Sequence, residues 1–162
     1  MGSVSTNVGT NACTKKFLMV GKCGSGKSSI IKIIAPNFKF PVQNIKLNSN
    51  ICYLMSYFLF GNYHSDHFQM FCKDITGLIF VLDSSCIYAD VKYYLDLFMK
   101  QQEVQKSKIL ILANKCDLEN AMTKDQIYEE LNLESYKGQL LLQMCSTITK
   151  QGIKEGIKWL TG

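Results

Sequence analysis

The chain has 162 residues, 47% of them hydrophobic, and a formal net charge of +5 at pH 7. This length is enough for one domain with a hydrophobic core, and the longest apolar run, 51–60, is too short to cross a membrane. The lysines are scattered along the chain, so the mild positive charge does not indicate nucleic-acid binding. Seven cysteines with no C-x-x-C spacing predict reduced thiols of the cytosol rather than a disulfide frame or a zinc site.

Residues 1–14 are small, polar and aperiodic, and we expect them to form a disordered tail. The start of the chain also matches M-G-x-x-x-[ST], in which Gly2 is the residue that would be myristoylated. Short M-G-S starts also arise by chance or as cloning remnants, and this alternative stays open.

From residue 15 onward, strand patterns alternate with helix patterns. The predicted strands are 16–20, 43–47, 51–58, 77–83, 108–114 and 138–146, of which the second and third form a β-hairpin. The predicted helices are 26–35, 87–104, 123–133 and 150–160. This alternation predicts an α/β fold, with a mostly parallel sheet between layers of helices, and one domain over residues 15–162.

A P-loop pattern, G-x-x-x-x-G-K-S, occupies residues 21–28, with an apolar strand before it and a helix after it. Gly21 and Gly26 allow the backbone to wrap closely around phosphate, next to the positive end of the helix dipole. Lys27 is expected to reach the β- and γ-phosphates, and the Ser28 hydroxyl is expected to bind Mg²⁺. The sequence therefore predicts a nucleotide site.

A second polar motif, N-K-C-D, contributes Asn114, Lys115 and Asp117 at the carboxyl end of a predicted strand, where open α/β sheets bind ligands. A carboxylate there accepts hydrogen bonds from the ring N–H and the exocyclic amine of guanine. Adenine offers only an acceptor at that edge, which a carboxylate repels. After the last predicted strand, Ser146 is expected to present a backbone N–H to the guanine carbonyl. The predicted ligand is therefore GTP or GDP.

The order of the P-loop, the hairpin, "GLIFVLDS", "NKCD", "CST" and "GIKEGIKWL" resembles the Ras-type small GTPases. The phrases "TGLIFVLDSS" and "GIKEGIKWL" are most similar to the Arf/Arl branch, and the resemblance covers residues 16–161. It implies the G-domain fold with a six-stranded sheet, and binding of GTP or GDP with Mg²⁺. It also implies a cytoplasmic monomer that acts through effector or complex-subunit proteins in membrane traffic or a related process. Contact with a membrane would then be peripheral and would depend on acylation of Gly2.

The resemblance also assigns binding residues. On the phosphates it places Gly21, Lys22, Cys23, Gly24, Ser25, Gly26, Lys27, Ser28 and Ser29. On the base and ribose side it places Asn114, Lys115, Asp117, Cys145 and Ser146.

Two switch segments depart from the family pattern. Small GTPases carry a D-x-x-G segment whose Asp holds Mg²⁺ through water, followed by a Gln that orients the attacking water. The matching segment here is "SYFLFG", with Tyr57 at the Asp position. No Asp or Glu occurs between Ser28 and Ser65, and no Thr occurs between Ile30 and Ile75, so the switch Thr is missing as well. Hydrolysis of GTP is therefore predicted to be slow or absent.

The polar stretch "GNYHSDHF", residues 61–68, contains the nearby residues that could replace the missing switch groups. Asn62 or His64 are candidates to orient a water, and Asp66 is a candidate to approach Mg²⁺. A metal site made of His64, Asp66 and His67 has poor geometry because three ligands are packed into four residues. A solvated loop is therefore the favoured interpretation.

Asp83 closes "LIFVLD" and resembles the Walker B residue of other P-loop enzymes, although in Arf relatives this Asp is structural. Three hypotheses stay open: a divergent Arf-like binding protein, a competent switching GTPase with rebuilt switch residues, and a P-loop kinase or ATPase that uses Asp83. The N-K-x-D motif counts against the third, because a kinase has no use for a guanine-specific carboxylate.

Overall fold

The computed structural model describes residues 15–39, 42–47, 50–59, 65–87, 89–136 and 138–162. Its strands are β1 (Lys15–Lys22), β2 (Val42–Leu47), β3 (Asn50–Leu59), β4 (Gly77–Asp83), β5 (Lys108–Asn114) and β6 (Leu140–Met144). Its helices are α1 (Lys27–Ile34), α2 (Ser65–Cys72), α3 (Ala89–Met99), α4 (Gln102–Lys106), α5 (Lys124–Glu130) and α6 (Ile153–Thr161), with a 3₁₀ turn at Leu133–Ser135. Gly2, Asn62 and His64 lie outside the described residues.

The six strands form one sheet in the order β2-β3-β1-β4-β5-β6. β2 is antiparallel to β3, as expected for a hairpin, and the other neighbouring strands of this sheet pair in parallel. The continuous apolar runs of β1, β4 and β5 are typical of strands that helices cover on both faces. The prediction of a mostly parallel α/β sheet is confirmed, and so are the six strands that the resemblance implied.

The central strands send alternate side chains into two separate cores. One face is covered by α3, and its core contains Leu18, Val20, Phe80, Leu95 and Phe98. The other face is covered by α1 and α6, and its core contains Phe17, Met19, Ile30, Ile153 and Ile157. A slip of one residue would exchange the two sets of side chains, so this packing specifies the strand register.

The helix α2 differs from the sequence-based expectation of a solvated loop over 61–68. The helix begins at Ser65, so Asp66 and His67 belong to its first turns, although their side chains are outside the description. Cys72 is buried, and Phe71 packs against the core under α3. Short helices are stable mainly through such tertiary packing. The polar residues of this segment give no indication of that packing.

The helix predicted over 87–104 is divided into α3 and α4. Gln101 is extended, with φ −74° and ψ 129°, and its side chain donates to the carbonyl of Leu97 at 3.1 Å. The side chain of Gln105 donates to the carbonyl of Met99 at 3.0 Å. These two amides satisfy carbonyls that the end of a helix leaves without a backbone donor, which stabilises the break.

The other helix boundaries follow the expected local signals. The helix α1 ends before Pro36, and α5 starts after Thr123, which forms a capping box with Gln126. No helix in the described ranges has the length and apolar character that a membrane-spanning segment needs.

Parallel pairing brings the polar segments together. Because β1, β4, β5 and β6 run in one direction, their carboxyl ends lie along one edge of the sheet. The P-loop follows β1, Asp83 ends β4, Asn114 ends β5, and Cys145 follows β6. Residues that are far apart in sequence therefore meet at this edge, where doubly wound folds bind ligands.

Candidate nucleotide-binding site

The P-loop is packed so closely that its first and last glycines have no room for a side chain. A Cβ at Gly21 would lie 2.2 Å from the carbonyl oxygen of Val81 in β4, and a Cβ at Gly26 would lie 2.1 Å from Nδ2 of Asn114. Gly26 also has a left-handed conformation, with φ +96°, as the N-cap of α1. The loop thus has the tight backbone and the helix N-terminus that phosphate binding requires.

Lys27 is buried, with 2% of its surface exposed, and its ammonium group points into the P-loop. The ammonium donates to the carbonyl of Gly21, to that of Lys22 at 2.7 Å and to the Ser25 hydroxyl at 3.4 Å. Burial lowers the pKa of Lys27 to about 8, and the nearby Cys23 acts in the opposite direction. This cation lies where the motif requires one to meet a β-phosphate.

Asn114 joins the P-loop to the base motif. Its side chain is fully buried, its Nδ2 donates to the carbonyl of Ser25 at 2.9 Å, and its Oδ1 accepts from the N–H of Thr147 at 3.2 Å. One amide therefore connects the loops after β1, β5 and β6. Sequence reasoning did not select Thr147, although it stands inside the "CST" segment.

Lys115 forms an ion pair with Asp83, with 2.5 Å between Nζ and Oδ2. The other oxygen of Asp83 accepts from the N–H of Ser85 at 2.9 Å and from its hydroxyl at 2.6 Å. Burial acts to raise the pKa of Asp83, but the hydrogen bonds from Lys115 and Ser85 outweigh it, so the pKa is lowered. Both carboxylate oxygens are thus engaged by protein groups.

Asp117 is exposed, and its carboxylate makes no hydrogen bond or ion pair within the described part of the chain. A carboxylate at this edge of the sheet is free to accept two hydrogen bonds from a ligand. Cys145 is buried, with its Sγ 4.0 Å from Oδ1 of Asn114, and burial raises its pKa to about 12. It therefore packs behind Asn114 rather than acting as a nucleophile.

The loop after β6 differs from the expectation for Ser146. The Ser146 N–H donates to the carbonyl of Gln151 at 3.1 Å, and its hydroxyl accepts from the N–H groups of Ile148 and Thr149. Ser146 thus shapes the loop. The N–H that lies beside Asn114 belongs to Thr147, the next residue.

The described part of the segment that replaces the D-x-x-G turn, residues 56–59, is a regular strand. Residues 52–59 of β3 pair with β1, with Tyr57 opposite Val20 and Leu59 opposite Lys22. The described residues contain no cluster of three His, Cys, Asp or Glu side chains that could hold a metal. For Mg²⁺ the P-loop motif offers the half-buried Ser28, and the sequence before Ser65 contains no carboxylate side chain.

A six-stranded sheet with a P-loop after its β1 strand and an N-K-x-D motif after β5 defines a G-domain, the fold of the small GTPases. The family model of the Arf (ADP-ribosylation factor) family matches residues 1–162. The chain is 33% identical over 160 residues to ADP-ribosylation factor-like protein 2 of Arabidopsis thaliana, an alignment that covers 90% of this chain and 84% of the relative. It is 32% identical over 158 residues to ADP-ribosylation factor K of Dictyostelium discoideum, covering 90% and 82%. The chain belongs to the Arf family.

Proposed function

We propose that this protein binds GTP and GDP, acts through a protein partner, and hydrolyses GTP slowly or not at all. The observation that carries the proposal is the hydrogen bond from Asn114 to the carbonyl of Ser25, which joins the base motif to the phosphate loop. Because the two motifs meet at one edge of the sheet, the P-loop is placed to bind the phosphates of a nucleotide whose guanine Asp117 binds. Membership of the Arf family supports the same conclusion.

The proposed roles follow from the geometry of the side chains. Lys27 neutralises the β-phosphate, and the amides of the P-loop surround it. Asp117 accepts from the guanine N–H and amine, and the Thr147 N–H holds the Asn114 side chain in place by donating to its Oδ1 at 3.2 Å. The Ser28 hydroxyl is the protein ligand proposed for Mg²⁺, and a single ligand of this kind predicts weak dependence on the metal.

Slow hydrolysis follows from the missing switch groups. A residue that orients the attacking water or stabilises developing charge typically contributes on the order of 10² to 10³ in rate. Small GTPases hydrolyse GTP at only roughly 10⁻⁴ s⁻¹ without a partner, so one such loss lowers the expected rate to about 10⁻⁶ s⁻¹ or below. In this protein Tyr57 lies in β3 at the position where the family has the turn with the metal-binding Asp.

The kinase or ATPase alternative is disfavoured by the surroundings of Asp83. A Walker B carboxylate must be available to the metal and its waters. Here one oxygen of Asp83 is bound to Lys115 and the other to Ser85. We therefore assign Asp83 a structural role in holding the N-K-C-D loop.

Base specificity is tested by substituting Asp117 and measuring affinity for GDP, ADP and xanthosine diphosphate. Asp117→Ala should reduce the preference for GDP over ADP by more than about tenfold, because the two hydrogen bonds to guanine are lost. Asp117→Asn should instead favour xanthosine diphosphate, because its amide N–H can donate to the second carbonyl of xanthine. Unchanged GDP affinity in both variants would show that the base assignment is wrong.

Hydrolysis is tested by mixing excess protein with labelled GTP and Mg²⁺ and following a single turnover. We expect no measurable product within hours. The competing hypothesis of a rebuilt switch predicts turnover at an ordinary small-GTPase rate that is abolished by Asn62→Ala, His64→Ala or Asp66→Ala. That result would replace the proposed binding protein with a competent enzyme.

A further inference from the structure

A cavity of about 240 Å³ lies beside the P-loop, between that loop, the end of β4 and the start of α3. Its lining includes the apolar side chains of Phe80 and Val91 and the basic residues Lys22 and Lys115. Lys22 is also paired with Asp90 of α3, with 2.7 Å between Nζ and Oδ2. One residue that lines the cavity therefore joins the P-loop to α3.

Two thiols line this cavity, Cys23 of the P-loop and Cys86 of the β4–α3 loop. Among the six cysteines in the described ranges, these two are the exposed ones. The other four are less reactive by position: Cys52, Cys72 and Cys145 are buried and Cys116 is half-buried. Burial also raises the pKa of Cys72 to about 12, which suppresses its thiolate at neutral pH.

The topology explains why the two thiols line the same cavity. β1 and β4 are neighbouring parallel strands, so the loops that follow them leave the same edge of the sheet. Cys23 comes directly after β1, and Cys86 lies in a turn closed by its own N–H and the carbonyl of Asp83 at 3.3 Å. Next to Cys23, a Cβ at Gly24 would meet no atom within 4 Å, so the loop has space into which it can move.

We propose that Cys23 and Cys86 form a redox-sensitive pair that a peroxide converts into an intramolecular disulfide. One thiolate attacks the O–O bond of the peroxide, giving a sulfenic acid and, for hydrogen peroxide, one water. The second thiol attacks that sulfur and displaces the hydroxyl group as a second water. Two electrons pass from the thiols to the peroxide, and a dithiol reductant reverses the reaction.

The disulfide would change the P-loop because its geometry is restrictive. A disulfide holds its two Cα atoms about 4.4–6.8 Å apart, so Cys23 becomes tied to the β4–α3 loop. The P-loop then loses the freedom to close around phosphate. This consequence rests on the proposed nucleotide binding, whereas formation of the disulfide does not.

The disulfide is tested on nucleotide-free protein treated with hydrogen peroxide, with remaining thiols blocked before digestion and mass spectrometry. We expect a peptide that links Cys23 to Cys86 and an intact mass lower by two hydrogen atoms. Cys86→Ser should lose the link, and the matched controls Cys116→Ser and Cys13→Ser should keep it. Stable oxidation of Cys23 alone, or a link between other cysteines, would overturn the pairing.

The effect on binding is measured by titrating GDP into reduced and oxidised protein. The oxidised protein should bind at least about tenfold more weakly and should recover with dithiothreitol, whereas Cys86→Ser should be unaffected by peroxide. An equal loss of affinity in Cys86→Ser would assign the effect to Cys23 alone and reject the pair. Failure of the reduced wild-type protein to bind GDP would contradict the proposed function, while the linked peptide would still report on the disulfide.

Discussion

Gly26→Ala tests the contact between the P-loop and the base motif. A methyl group at residue 26 would lie 2.1 Å from Nδ2 of Asn114, a distance that requires one of the two groups to move. Asn114 is fully buried, its Nδ2 donates to Ser25, and its Oδ1 accepts from Thr147. The substitution therefore disrupts hydrogen bonds at both ends of one buried amide.

The expected loss of stability has two parts. A side chain in the left-handed conformation of Gly26, with φ +96°, costs roughly 1–2 kcal/mol. A buried polar group that loses its partner costs about 1–3 kcal/mol more. The free energy of unfolding of the nucleotide-free protein should therefore fall by about 2–5 kcal/mol.

Gly24→Ala is the matched control for this experiment. Gly24 is also left-handed, with φ +80°, but a Cβ there would meet no atom within 4 Å. Gly24→Ala should therefore carry only the strain, about 1–2 kcal/mol. Guanidinium unfolding followed by circular dichroism measures both variants. Equal losses of stability would show that the contact between Gly26 and Asn114 contributes nothing, and the reasoning would be refuted.

Two further predictions concern Lys27. Lys27→Ala should remove nucleotide binding, because the neighbouring Lys22 and Lys115 are already paired with Asp90 and Asp83 and so do not replace the lost charge. Micromolar affinity of the variant for GDP would contradict this prediction. The second prediction is that nucleotide binding depends on pH. Burial lowers the pKa of Lys27 to about 8, so the ammonium group of the nucleotide-free protein loses a proton above that pH. Bound phosphate favours the charged form of this side chain. Binding should therefore take up a proton above pH 8, and the affinity for nucleotide should fall as the pH rises through 8. Calorimetry in buffers of different ionisation enthalpy measures the proton uptake. A constant affinity across this pH range would exclude the linkage.

The strands, and the positions of the P-loop and N-K-C-D segments at strand ends, were predictable because their signals are local. Uninterrupted apolar runs indicate buried parallel strands, and a glycine-rich loop between a strand and a helix indicates phosphate binding. The capping box at Thr123 and the end of α1 before Pro36 also follow from neighbouring residues. The Arf family membership was predictable for the same reason, since its motifs occur in order along the chain.

Other features depend on contacts between segments that are distant in sequence. The helix α2 exists in a polar stretch because Cys72 and Phe71 pack against the core under α3. The division between α3 and α4 depends on where two glutamine side chains donate. Local sequence does not predict helix α2 or the break between α3 and α4, because the same residues are compatible with a loop or with one continuous helix.

The sequence by itself determined which motifs are available: a P-loop pattern, an N-K-x-D pattern, and the absence of the family's switch residues. Only the tertiary structure decided how these parts are connected, because parallel pairing brings separate strand ends to one edge of the sheet. There Asn114 reaches Ser25, Lys115 reaches Asp83, and the N–H of Thr147 rather than Ser146 lies beside Asn114. A hydrogen bond requires a specific distance and direction between two groups, and for residues this far apart in sequence the fold alone provides both.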